Sequence, residues 1–203
     1  MSGASDWRDQ DSRARKLARA EFGKPLLLAA GAGSGKTAAL VARIAVWCLG
    51  PGWERAGDQL GSTDARARAR YVLERCVAVT FTEKAATEME DRIGAALAGF
   101  AARRAASEVL PEFTLAEIGL GPEEAADRAA ALLDAFEHLR IGTLHAFCAR
   151  LLREHALDSG LHPAFEIDAD ETALARACRE QVGLGIAAAY GAPGDPHALA
   201  LAR

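Results

Sequence analysis

The sequence predicts an α/β protein: a parallel sheet flanked by helices, carrying a mostly helical insertion. Three observations predict it. Short apolar runs at residues 25–30, 76–79 and 139–142 are each followed by a segment with helical spacing. Long alanine- and arginine-rich stretches read as helix. The first apolar run ends in a glycine-rich turn, which joins a buried strand to a helix. No internal repeat is visible.

Taken in order, residues 11–22 read as a polar helix, capped near Asp11 or Ser12 and stopped at Gly23 before Pro25. A buried strand follows at 25–30. Leu40, Val41, Ile44, Ala45 and Cys48 then mark one face of a helix over 36–49, ended by Gly50 and Pro51. Residues 50–63 read as loop, because Gly50, Pro51, Gly52, Gly57 and Gly61 fall within them. Arg66, Arg68, Arg70 and Arg75 read first as a solvated helix face and second as a DNA contact. Residues 76–79 form a second buried strand. In the next helix, Ala86, Met89, Ile93, Leu97 and Phe100 keep helical spacing, so Met89 and Phe100 belong to the core.

Residues 101–139 read as mostly helical, interrupted at Pro111 and between Gly119 and Pro122. Pro122 suits a first helical turn, and Glu123 and Glu124 favour the positive N-terminus. Residues 139–142 form another strand, and Thr143 opens a helix with Leu144, Phe147, Cys148 and Leu151 on one face. A short strand at 165–167, a helix over 170–190 and a turn-rich tail after Gly191 complete the reading.

Composition narrows the function. Half of the 203 residues are apolar, enough for one core and the start of a second. The net charge is −4 and the isoelectric point about 5.8, so any contact with nucleic acid is local rather than global. The four cysteines form no C-x-x-C pair and read as small buried apolar residues in a reducing compartment. The five histidines show no metal-ligand spacing. No secretory signal and no apolar run of membrane-spanning length are present, so the expected location is cytoplasmic and no membrane partner is expected.

Ala30, Gly31, Ala32, Gly33, Ser34, Gly35, Lys36 and Thr37 carry the clearest chemistry. Glycines between a strand and a helix let backbone N–H groups converge on an anion. The helix adds its positive end. In that arrangement the candidate catalytic residues are Lys36, which reaches the β- and γ-phosphates of ATP, and Thr37, whose hydroxyl ligates Mg²⁺. The strict pattern places glycine where Ala30 stands. A glycine-rich turn with an exposed lysine is the plain structural alternative.

Two later segments join this one: residues 79–89, with Thr80, Phe81, Thr82 and Lys84, and residues 141–147, with Thr143, His145 and Phe147. In this order the three resemble motifs I, Ia and Ib of superfamily 1A DNA helicases of the UvrD/RecB/AddA type. The family form of motif I often begins with alanine. The first motif alone is generic; the ordered trio is specific. Residues 165–171 resemble the segment after motif Ib in that family. The resemblance covers about residues 25–171.

It implies a RecA-like P-loop NTPase core with a helical insertion, present here as an incomplete N-terminal portion. Residues 1–24 would be an N-terminal helix. Residues 25–170 would be a partial ATP-binding domain with its insertion at about 95–139, and 171–203 the start of a second helical domain. The implied activity is ATP-dependent, 3′-to-5′ DNA translocation in repair or recombination. Thr80, Phe81, Thr82, Lys84, Thr143, His145 and Phe147 would line single-stranded DNA. A second helicase–nuclease subunit is an implied partner. Read without the resemblance, Thr80 with Glu83 fits a capping box and Thr143 an N-cap. Phe81 and Phe147 also fit a core, and His145 a structural role.

Hydrolysis needs an acidic Mg²⁺ partner on a second strand, and usually an arginine finger. Asp134 lies in a helical pattern, and Asp170 and Glu171 follow no apolar strand. Arg15 stands at the distance where many relatives carry an adenine-contacting glutamine. The expectation is that this chain binds ATP and single-stranded DNA without appreciable turnover alone. A non-catalytic remnant and a small P-loop kinase or NTPase are the alternatives.

Overall fold

The computed structural model describes residues 3–29, 31, 33, 35–162, 164–166, 176 and 178–184. The chain divides into two compact units, Met1–Phe147 and Cys148–Arg203. In the first, α1 (Gly3–Ala20), α2 (Lys36–Leu49), α3 (Pro51–Leu60) and α4 (Ala65–Glu74) precede β1 (Val77–Thr80). Then come α5 (Glu83–Ala101), α6 (Ala106–Val109), α7 (Pro122–Asp134) and β2 (Arg140–Thr143). Short 3₁₀ turns fill Leu115–Ile118 and Phe136–His138. Helix α8 (Leu144–Glu154) begins directly after β2.

The core forms where apolar stripes meet. Helix α5 buries Met89, Ile93, Leu97 and Phe100, and α7 buries Ala125, Ala129 and Leu132. Phe113 meets Phe100 edge-on, with ring centroids 6.2 Å apart. From α2 come Val41, Ile44, Val46 and Leu49. Arg128 on α7 is buried among them. Its Nη1 donates to the Leu49 carbonyl at 2.8 Å, and its Nη2 pairs with Glu124 and, at 2.5 Å, with Glu54. It therefore ties α7 to the ends of α2 and α3.

Several elements differ from the sequence reading. Residues 51–60 form a helix, not a loop, because their glycines and proline have positional roles. Pro51 sits at the first turn, where its missing N–H costs nothing. Gly61 closes the helix with φ 57°. Inside it, Gly52 lies against Trp47, whose Nε1 would be 2.7 Å from a Cβ there. The burial of Trp53 and Ala56 supplies the packing that helix propensity lacks.

Residues 25–29 form no strand, and Leu27 is 92% exposed. A strand exists only through a neighbour's hydrogen bonds, and the sheet of the described residues contains β1 and β2 alone. That ladder is parallel, pairing Val77 with Arg140 and Thr80 with Thr143. Strand β1 is not buried on both faces as expected: Ala78 is buried, while Val77 and Val79 are exposed. Helix α1 starts earlier than Asp11, which instead accepts from Arg15 Nε at 2.8 Å within the helix.

Of the basic run, Arg66 and Arg70 are exposed on α4, Arg68 is half-buried with its Nε donating to the Ser62 carbonyl at 2.6 Å, and Arg75 follows the helix. Arg70 pairs with Glu74 at 2.7 Å, and Asp64 caps the helix by accepting from Arg66 N. Leu144 and Leu151 on α8 are exposed rather than buried. Phe165 and Glu166 lie in no strand; Ile167 and most of 170–190 lie outside the described residues, although 178–184 are helical. In the second unit, Leu161 N donates to the Ala156 carbonyl at 2.8 Å, closing a turn after α8. Among the described residues no helix is long and apolar enough to cross a membrane.

Candidate nucleotide and nucleic-acid site

Glycine chemistry shapes the turn ahead of α2. Gly33 has φ 74° and Gly35 has φ 84°, a left-handed region that a Cβ disfavours. Among the described residues nothing beyond its chain neighbours lies within 4 Å of a Cβ built on Gly33, so the left-handed conformation is what favours glycine there. Gly35 is the N-cap of α2, no side chain among the described residues caps this terminus, and its carbonyl accepts from Ala39 N at 2.9 Å. Lys36 and Thr37 are the first helical residues. Ala30, Ala32 and Ser34 lie outside the described residues.

Lys36 Nζ donates to the Gly31 carbonyl at 2.5 Å, which folds the lysine back across the turn. Lys36 also borders a cavity of about 340 Å³ shared with Lys24, Arg43, Pro25, Leu26 and Leu28. Its described lining holds three cations and no acid. Arg43 is fixed by donating to the Ala18 carbonyl at 2.7 Å and by stacking on Phe22, 4.5 Å from its ring centroid. Such a setting suits a polyanion with an apolar portion.

The other two segments meet at one end of the sheet. Thr80 and Thr143 are register partners at the carboxyl ends of parallel strands, the end at which open α/β sheets take ligands. Thr80 Oγ1 donates to the Thr82 carbonyl at 2.9 Å. Thr82, not Thr80, caps α5 by accepting from Ala85 N at 3.2 Å. This replaces the Thr80–Glu83 capping box. Thr143 caps α8, accepting from Ala146 N at 3.2 Å, and is itself buried. Phe81 is 90% exposed, which removes the core reading. Thr82, Lys84 and His145 are exposed, and Phe147 is half-buried.

Asp134 ends helix α7, and Asp170 and Glu171 lie outside the described residues. Among the described residues no cluster of three or more His, Cys, Asp or Glu is arranged to hold a metal. Beside the turn stands Arg15, whose Nη1 is 3.6 Å from the Cβ position of Gly35. Spacing alone did not single out Arg19, one helical turn further on; the signal is the i,i+4 repeat of arginine on α1.

Comparison with known proteins finds a family model and relatives that match most of the chain. The family model described as the UvrD/REP helicase N-terminal domain matches residues 11–188. An ATP-dependent helicase/nuclease subunit of Pelotomaculum thermopropionicum is 37% identical over 153 residues, covering 75% of this chain and 9% of that protein. The protein of the same name from Geobacillus kaustophilus is 34% identical over 170 residues, covering 84% of this chain and 10% of its own length. That from Moorella thermoacetica is 33% identical over 166 residues, 82% of this chain and 9% of its own. The chain thus spans about a tenth of the curated relatives it matches. No solved structure matches it. From the glycine-rich turn, the paired strand ends and the match over most of its length, the chain belongs to the UvrD/REP helicase family, matching its N-terminal domain.

Proposed function

We propose that this chain is the ATP-binding, DNA-contacting first part of an ATP-dependent 3′-to-5′ DNA helicase or helicase–nuclease subunit, acting in repair or recombination. The relatives are named as ATP-dependent helicase/nuclease subunits. Thr80 facing Thr143 across the β1–β2 ladder carries the reading. It brings two segments far apart in sequence to one sheet end, where hydroxyls, an exposed aromatic and cations suit a single strand. Phe81 stacks on a base, and Lys84 with Thr80 and Thr82 meets phosphates. His145 and Phe147 extend the same track.

The nucleotide reading rests on the left-handed turn and on the lining of the Lys36 cavity. Gly33 and Gly35 open the backbone to phosphate oxygens, and Lys36 exchanges the Gly31 carbonyl for them. Bound Mg²⁺ would neutralise charge on the β- and γ-phosphates, with Thr37 offering its hydroxyl as ligand. We assign residues 25–170 to a partial RecA-like domain with an insertion at about 95–139, and 171–203 to the start of a helical domain. The acidic strand and arginine finger are not supplied by the residues assigned here. The chain alone therefore binds ATP and DNA without appreciable turnover, and a second helicase–nuclease subunit is a candidate partner.

Titration with a non-hydrolysable ATP analogue tests this. Binding is expected to need Mg²⁺ and to weaken in both Lys36→Ala and Thr37→Ala. If both variants bind like the parent, the phosphate-loop assignment is wrong. DNA-stimulated ATP turnover by the chain, abolished by Lys36→Ala, overturns the inactivity.

A further inference from the structure

Between α1, α2, α5 and α6 the fold leaves a second cavity, of about 350 Å³, the size of a small-molecule site. Small side chains, Ala38, Val41, Ala42 and Ala96 among them, give it an apolar wall. Its polar lining is four arginines, Arg15, Arg19, Arg92 and Arg104, against one carboxylate, Glu108. Lys36 does not line it.

Arg19 is only 6% exposed. Its Nη2 donates to the Glu112 carbonyl at 2.5 Å and to the Glu117 carboxylate at 3.1 Å. Its Nε has no hydrogen-bond partner among the described residues. That nitrogen is sealed from solvent, so what Arg19 brings to the wall is buried positive charge. The other three arginines are held by exposed partners four residues away: Arg15 by Asp11, Arg92 by Glu88, and Arg104 by Glu108 at 3.7 Å. Such pairs contribute little, so these arms can turn to a better acceptor. A phosphate or carboxylate is that acceptor, since guanidinium forks match its geometry.

We infer that this cavity is a second anion site, separate from the turn at residues 31–37, for a small molecule that carries a phosphate or carboxylate on an apolar body. Arg92 and Arg104 clasp the anion at the rim. Arg19 adds buried positive charge behind them. The apolar body lies on the alanines of α2 and α5.

Arg15 borders both this cavity and Gly35, so the test separates the two sites. The chain is titrated calorimetrically with phenyl phosphate, and with inorganic phosphate as the anion without a body. Phenyl phosphate is expected to bind more tightly than inorganic phosphate. The double variant Arg92→Ala, Arg104→Ala should weaken it about tenfold or more. Ala42→Leu, which fills the cavity, should weaken it as well, and the rim variant should weaken it by the same factor in a Lys36→Ala background, where binding at the turn is removed. Both rim arginines are half exposed, so the double variant keeps its fold, checked by its melting temperature. Arg19→Met risks the Glu117 pair and is the secondary variant. The site is refuted if phenyl phosphate does not bind, or if Lys36→Ala abolishes binding while the rim variant does not. Equal binding of the two anions refutes the apolar body.

Discussion

Thr80 and Thr143 stand opposite each other at the carboxyl ends of two parallel strands, yet their hydroxyls do different work. Thr80 Oγ1 donates to the Thr82 carbonyl and shapes the turn before α5. Thr143 Oγ1 accepts the Ala146 N–H and starts α8. Both strands pass into helix N-termini at this end, and α-helix N-termini favour anions.

Stability and DNA affinity should therefore separate at this end. Thr143→Ala removes a cap and is expected to cost about 1 kcal/mol in urea unfolding. Phe81→Ala removes a ring that is almost wholly exposed, so stability should change by less than about 0.5 kcal/mol. Its affinity for a fluorescent oligothymidine should nevertheless fall about tenfold, as the loss of one stacked base implies. An anisotropy titration in which Phe81→Ala matches the parent removes Phe81 from the track.

Gly35→Ala should be costly for backbone reasons alone. At φ 84° an alanine pays about 1–2 kcal/mol, and the space around it is open apart from the tip of Arg15. Lower stability together with weaker binding of an ATP analogue is expected. Unchanged stability in a denaturant melt would mean that the turn relaxes away from the left-handed region.

Arg128 is the polar fastening of the core. Arg128→Met keeps the bulk near Trp53 but leaves the Leu49 carbonyl without its donor. A loss of about 2 kcal/mol is expected, the scale of a hydrogen bond to a charged group. Glu124→Gln should cost under about 0.5 kcal/mol, because Glu124 is half exposed and Glu54 still pairs with the guanidinium. Equal losses in the two variants would place the stabilisation in the ion pair instead.

The cysteines should differ sharply in reactivity. The Cys48 thiol donates to Cys76, and this bond, followed by burial, holds Cys48 well above the ordinary thiol range. Accepting that bond lowers Cys76. Cys148 and Cys178 are exposed, not buried as the sequence suggests, because they lie on helical faces that no core of the described residues covers. With iodoacetamide, mass spectrometry should find Cys148 and Cys178 modified first, then Cys76, and Cys48 only after unfolding. Labelling of Cys48 in the folded chain at the rate of Cys148 contradicts this packing.

The sequence by itself determined the elements whose signals are local. Helix α2 has the expected bounds because its apolar stripe and its glycine ends lie within one stretch. All five marked positions of α5 are buried, Pro122 opens α7, and both paired strands fall within a residue of expectation. The family was legible too, since three short motifs in order need no coordinates. Tertiary structure decided whatever depends on a distant partner. Helix α3 exists because Trp53 and Ala56 find a core, against a composition that reads as loop. Residues 25–29 form no strand because no neighbour among the described residues pairs with them. The facing of Thr80 and Thr143, the burial of Arg128, and the unmatched Nε of Arg19 are long-range outcomes of packing. Periodicity encodes which face a residue takes, but only the packed chain sets what that face meets.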